Sequence, residues 1–146
     1  MHFPTWLIGP LNQAGRWLYG RLEYSYGIKV EVDNGVVGHP LRGSTQYVLV
    51  TVYNSTDRPE KVESVALALS SGGVLLMFHD PRSPFPAPPR VITRTDNFVY
   101  GFPAETIRES LEKTRKEMNN PKVHVSGARA SLASGRMVWV KKRIDV

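Results

Sequence analysis

Gln46-Tyr47-Val48-Leu49-Val50-Thr51-Val52-Tyr53-Asn54 reads as a strand, and the rest of the fold is built around it. Its side chains alternate with period two: Val48, Val50 and Val52 on one face, Tyr47, Leu49, Thr51 and Tyr53 on the other. Both faces are largely apolar, which predicts a strand in the middle of a sheet. Upstream, Ile28, Val30 and Val32 alternate with Lys29, Glu31 and Asp33, as in a half-buried strand that Asp33-Asn34-Gly35 is expected to end. Gly38, Pro40 and Gly43 mark a loop between the two strands. Downstream, residues 54–59 form a turn cluster. Asn54-Ser55-Thr56 matches a glycosylation sequon but reads more simply as part of that turn.

Alternation resumes over residues 61–69, with Val65, Leu67 and Leu69 inward and Ser64, Ala66 and Ala68 outward. Ser70-Ser71-Gly72-Gly73 predicts a hairpin loop into a strand over 74–78. Residues 80–90 hold five prolines in eleven positions, which excludes a ladder strand there. Weak strand signal returns at 91–94 and at 97–102. A helix is expected over 103–119: proline stands near its start, Glu105 in its first turn, and Asn119-Asn120-Pro121 at its stop. Ile107, Leu111 and Met118 fall at helical spacing, and Glu109–Lys113 and Glu112–Lys116 are candidate i,i+4 ion pairs. Two closing strands are predicted at 122–130 and 136–144, with Val123 and Val125 packing beside Val138, Val140 and Ile144.

Seven or eight short strands with one helix before the last hairpin predict a mainly β chain, an antiparallel immunoglobulin-like β-sandwich. The expected domain is residues 28–146, preceded by a helical or extended arm, residues 1–27. The segments 28–33, 45–54 and 60–69, the helix 103–119 and the hairpin 123–144 together resemble the small, mostly uncharacterised single-domain immunoglobulin-like sandwich proteins of bacteria and phages. That resemblance covers about four-fifths of the chain. It is a likeness of pattern without a diagnostic motif, and it implies a fold but no activity.

Composition narrows the chemistry. The 146 residues suit a single domain with a real core. With 41% hydrophobic and 22% charged residues, they match neither disordered nor collagen-like chains. The absence of cysteine excludes disulfides, a thiolate nucleophile and cysteine-bound metal. Net charge is +1 over residues 1–27, zero over 28–102 and +5 over 103–146. The excess gathers at Lys113, Arg115 and Lys116 and at Lys141, Lys142 and Arg143, a candidate nucleic-acid surface with Tyr47, Tyr53 or Trp139 available for stacking. The same residues also suit a solvated helix face and a charged edge strand that blocks aggregation.

Catalytic and metal patterns are missing. His2, His39, His79 and His124 share no ligand spacing, and His79-Asp80 alone is a strand exit rather than a metal site. There is no nucleophile elbow, with Ser126-Gly127 and Ser134-Gly135 reading as hairpin dipeptides, and no phosphate-binding glycine loop. Glu105, Glu109 and Glu112 lie near one helix face among basic neighbours, as a solvated face does. No cofactor or metal is therefore expected. The prolines around Phe85 suit either a stiff crossover between sheets or a polyproline arm for an aromatic groove.

The arm carries the functional expectation. Phe3, Trp6, Leu7 and Ile8 precede a candidate helix over 10–23 that includes Trp17, Leu18 and Tyr19. Large aromatic and apolar side chains on an appendage suit a partner-binding surface. They also suit a helix folding back to cap an open end of the sandwich, or one lying on a membrane surface. The arm is too short and too interrupted by proline to span a bilayer or to read as an export signal, so a cytoplasmic protein, or one built into a phage particle there, is expected. The expected role is a non-enzymatic structural subunit, for example a virion accessory or decoration-type protein, held in a homo-oligomer or on a protein partner. A basic nucleic-acid-binding module is the alternative, and a hydrolytic enzyme has no motif behind it.

Overall fold

The computed structural model describes residues 27–39, 41, 43–76, 83–94 and 96–146. Eight strands and one helix run in the order β1 (Ile28–His39), β2 (Gly43–Asn54), β3 (Glu60–Leu69), β4 (Val74–Leu76), β5 (Arg90–Ile92), β6 (Asn97–Pro103), α1 (Ala104–Glu117), β7 (Val125–Leu132) and β8 (Met137–Ile144). They form two antiparallel sheets: a three-stranded sheet in the order β1-β2-β6, and a five-stranded sheet in the order β4-β3-β7-β8 with β5 also paired to β3. As the alternation predicts, β2 is the central strand of its sheet. Among the described residues no helix is long and apolar enough to cross a membrane.

One core joins the sheets. Val30, Val32, Val48, Val50 and Val52 come from the first sheet, and Val65, Leu67, Ala128 and Ala130 from the second. Phe98 and Phe102 of β6 fill the layer between, and Ile107 and Leu111 fix the helix against it. Each large apolar side chain buried this way contributes about 1.5–3 kcal/mol before entropy is counted. Val138 and Val140 pack against the core beside Val123, Val125 and Ile144, as their spacing predicts.

Several local expectations are corrected. Asp33-Asn34-Gly35 does not end β1; pairing continues through Asp33↔Leu49 and Gly35↔Tyr47 to His39↔Gly43. Gly35 serves as space rather than as a turn, because a Cβ there would meet the Leu49 side chain. Ser126-Gly127 is not a turn either but lies inside β7, where a Cβ on Gly127 would strike the Val140 carbonyl oxygen. The predicted turns at Gly72 and Gly135 do form, with φ of 94° and 86°. The helix ends at Glu117, and Met118 stands exposed beyond it. The i,i+4 ion pair on that helix is Lys113–Glu117, at 4.0 Å.

The proline-rich segment is likewise not a passage from one sheet to the other. The strands flanking it, β4 and β5, both pair with β3, against Ala66–Ala68 and Glu60–Val62 respectively. Between them Phe85 reaches the three-stranded sheet, its ring 5.2 Å from that of Tyr47 in an edge-on contact.

Asn54 closes the turn after β2. It is the one buried polar side chain among the described residues. Its Nδ2 donates to the carbonyls of Arg58 (2.8 Å) and Ile92 (2.9 Å), while its Oδ1 accepts from the backbone and hydroxyl of Thr56. All four hydrogen-bonding positions of the amide are used, which is what burial of this group requires. The sequon is thus a structural turn that ties β2 to β5 across the two sheets.

Candidate functional site

The alternation that sends valines inward sends a second set of side chains outward, and on the five-stranded sheet that set mixes large apolar side chains with the cations Lys61, Arg129 and Lys141. In β8, Met137 and Trp139 alternate with the inward Val138 and Val140. In β4, Leu76 pairs with the outward Ala66, and in β5, Val91 alternates with the fully buried Ile92. Four of the seven exposed large apolar side chains among the described residues therefore share this one outer face: Leu76 (57% exposed), Val91 (54%), Met137 (47%) and Trp139 (55%).

Between them the face is low. Ser64, Ala66 and Ala68 of β3 and Gly127 of β7 are small, Ala66 and Gly127 are buried, and Arg129 stands between Ala66 and Trp139. Trp139 sits opposite Arg129, whose guanidinium carbon lies 5.5 Å from the ring centroid. Such a contact holds the indole in place for about 0.5–1 kcal/mol without removing it from solvent. The result is a face on which half-exposed apolar side chains stand beside Arg129 and Lys141.

The outer face of the three-stranded sheet is different. Phe85 packs over Gly101, where a Cβ would collide with its ring, and against Tyr47, which is buried. Beyond it the face turns polar. Lys29 pairs with Glu31 at 2.6 Å and holds that carboxyl below its ordinary range. Burial, and then Glu31 beside it, pushes the Tyr53 hydroxyl up. Of the candidate stacking residues, Tyr47 is covered, Tyr53 is half-buried and Trp139 is open.

The six basic candidates occupy two elements and are mostly engaged. Arg115 donates from Nε to the Val123 carbonyl at 2.9 Å, which fixes the helix end to the start of β7. Lys113 faces Glu117. Lys142 reaches Asp33 of β1 at 2.8 Å, and Arg143 stands 3.3 Å from Asp145. Lys116 and Lys141 are exposed. Phe3, Trp6, Leu7, Ile8, Trp17, Leu18 and Tyr19 lie outside the described residues, as does His79-Asp80.

A cleft of about 300 Å³ lies where β1, β2, the helix and the C-terminal end meet, lined among others by Asn34, Gln46, Tyr47, Arg108 and Val146. Arg108 spends a guanidinium N–H on Gln46 Oε1 at 3.0 Å. No group there is arranged as a nucleophile with a base, and among the described residues no three His, Asp or Glu side chains gather to hold a metal. Compared with family models, with curated proteins and with solved structures, the chain matches none.

Sequence reasoning placed Ser64, Ala66 and Ala68 outward but did not assemble the apolar face around them. The signal was present in the parity of Met137 and Trp139 against Val138 and Val140. What it lacked was the strand order that sets β4 and β5 on the same sheet as β8.

Proposed function

We propose that the protein is a non-enzymatic interaction subunit, an immunoglobulin-like β-sandwich that joins a larger assembly through its aromatic arm and an apolar sheet face. The observation that carries this reading is the gathering of the half-exposed Leu76, Val91, Met137 and Trp139 on one outer face. Surfaces of that kind are typical contact patches, with tryptophan as a frequent anchor. Phe3, Trp6, Leu7, Ile8, Trp17, Leu18 and Tyr19 give the arm the same character. A virion accessory or decoration-type protein is one assembly member that such a design suits.

Light scattering tests the reading. The full chain is expected to associate, and a chain shortened to residues 28–146 is expected to stay folded but monomeric. Unchanged assembly after loss of the arm would sink it. The alternative of a basic nucleic-acid-binding module is less well supported, because Lys113, Lys142 and Arg143 face carboxylates and Arg115 is tied to the backbone. That alternative requires binding to single-stranded nucleic acid that falls steeply with salt and vanishes on charge reversal at Lys141, Lys142 and Arg143.

A further inference from the structure

The outer face of the five-stranded sheet carries cations that the fold leaves without carboxylates. Lys142, Arg143 and Lys113 stand beside Asp33, Asp145 and Glu117, and Arg94 beside Asp57. Lys61, Arg129 and Lys141 meet no carboxylate among the described residues, and both lysines are exposed. The five strands themselves hold two carboxylates. Glu60 pairs with the buried Ile92 and shares its side, while Glu63 sits at the register shift between Val62 and Ser64.

Register sets the three cations on one diagonal. Lys141 of β8 lies opposite Gly127; Arg129 stands one strand over and two residues along, opposite Trp139. Lys61 of β3 lies one strand further, about 15 Å along from Ala66, which is the Arg129 partner. Ser131 and Ser64, themselves partners, fall between Arg129 and Lys61. On the β8 side of this track stand the half-exposed Trp139 and Met137, about 7 Å apart along the strand. The Arg129 contact leaves Trp139 55% exposed.

A line of cations with a flat ring beside it matches a chain that carries charge along its backbone and flat bases to one side. An uncharged apolar partner would instead bury Arg129 and Lys141 without a counter-charge, at a large cost. We infer that this face binds single-stranded nucleic acid. Lys141, Arg129 and Lys61 follow the phosphates, the Ser131 and Ser64 hydroxyls donate to phosphate oxygens between them, and bases stack on Trp139 and pack on Met137. The site shares only Lys141 with the C-terminal basic candidates, most of which are spent on carboxylates or on the backbone. It goes beyond the proposed function. On any one copy, strand and protein exclude each other here, and the two readings fail separately: association without nucleic acid reads one, strand binding the other.

The test is fluorescence anisotropy of an end-labelled oligothymidylate, read across a salt series with the full chain. Three phosphate contacts predict a slope of log affinity against log salt of about −2. Lys61→Gln combined with Lys141→Gln should flatten it to about −0.7, since one contact remains. Trp139→Leu should weaken binding about 5- to 100-fold and leave the slope unchanged. Lys116→Gln combined with Lys122→Gln, at exposed cations of α1 and the loop after it, should change neither quantity. Circular dichroism checks that each variant is folded; should Trp139→Leu unfold, the slope of the first lysine pair decides alone. No binding at low salt overturns the inference, as does an equal flattening by both lysine pairs, or a duplex of equal length bound as tightly as the strand. Displacement of the strand by polyglutamate at equal charge overturns it too, and gives the face to an acidic protein.

Discussion

On the three-stranded sheet, Tyr47 and Gly101 of the outward row meet Phe85 from the proline-rich segment, and Lys29, Glu31 and Tyr53 make the remainder polar. On the five-stranded sheet, Leu76, Val91, Met137 and Trp139 stand half-exposed on the outer face, beside Arg129 and Lys141. Strand alternation produces both rows, so pleating alone does not separate them. The difference is that Phe85 covers the aromatic part of one face, while the large apolar side chains of the other are left half-exposed among the described residues. A chain that shields one face with Phe85, and leaves tryptophan and methionine on the other, has the make-up expected when the second face has an occupant.

The largest effect belongs to a residue that serves neither face. Asn54→Ala removes the four hydrogen bonds of this amide, including its buried donation to the Ile92 carbonyl, so unfolding stability should fall by about 2–3 kcal/mol, read as a lower urea midpoint. A loss of a few tenths would mean that the two sheets do not depend on this tie. Gly127→Ala comes next. Its methyl meets the Val140 carbonyl beside the register shift between Val125 and Gly127, and a cost of about 1–3 kcal/mol is expected by thermal melting.

Phe85→Ala attacks the comparison itself. It uncovers Tyr47 and Gly101, so the shielded face should begin to resemble the open one. A loss of about 1–2 kcal/mol and a rise in binding of an apolar dye are expected, less than a fully buried phenylalanine would give because Phe85 is half-buried. An unchanged dye signal would show that the segment is no cover. The smallest effect lies at the polar end of that face. Lys29 holds the Glu31 carboxyl below its ordinary range, so the pair supports the fold at neutral pH and loses that support as pH falls through the depressed value. The pair is solvent-exposed, so Glu31→Gln should cost only about 0.3 kcal/mol at pH 7 and nothing in strong acid, a difference visible in urea midpoints at the two pH values.

Much of this fold was legible because buried strands announce themselves by parity. Val48, Val50 and Val52 against Leu49 and Thr51 gave the central strand, and Val65, Leu67 and Leu69 gave both the inward and the outward row of β3. Glycine misled where it served space instead of turning. Gly35 and Gly127 read as punctuation, yet each accommodates a neighbour inside a ladder, and only the partner strand reveals that. The proline-rich segment could be read as non-strand but not as a cover, since its contact with Tyr47 joins residues 38 apart in sequence. The apolar face was invisible for a related reason: Leu76, Val91 and Trp139 come together only once β4, β5 and β8 are assigned to one sheet. The basic residues were easy to find, but their carboxylate and carbonyl partners were not, because Lys142–Asp33 is a long-range contact between the edge strands of two sheets.

The most direct test is the solution mass of the full chain by light scattering, for the wild type and for the Leu76→Ser and Trp139→Ser double variant. Both side chains are only about half exposed and Trp139 carries the Arg129 contact, so the double variant should lose about 1–3 kcal/mol of stability, and the masses are compared where circular dichroism shows both proteins folded. The account predicts a wild-type mass above 16.4 kDa that falls to the monomer value in the variant. Equal masses for the two proteins would contradict it.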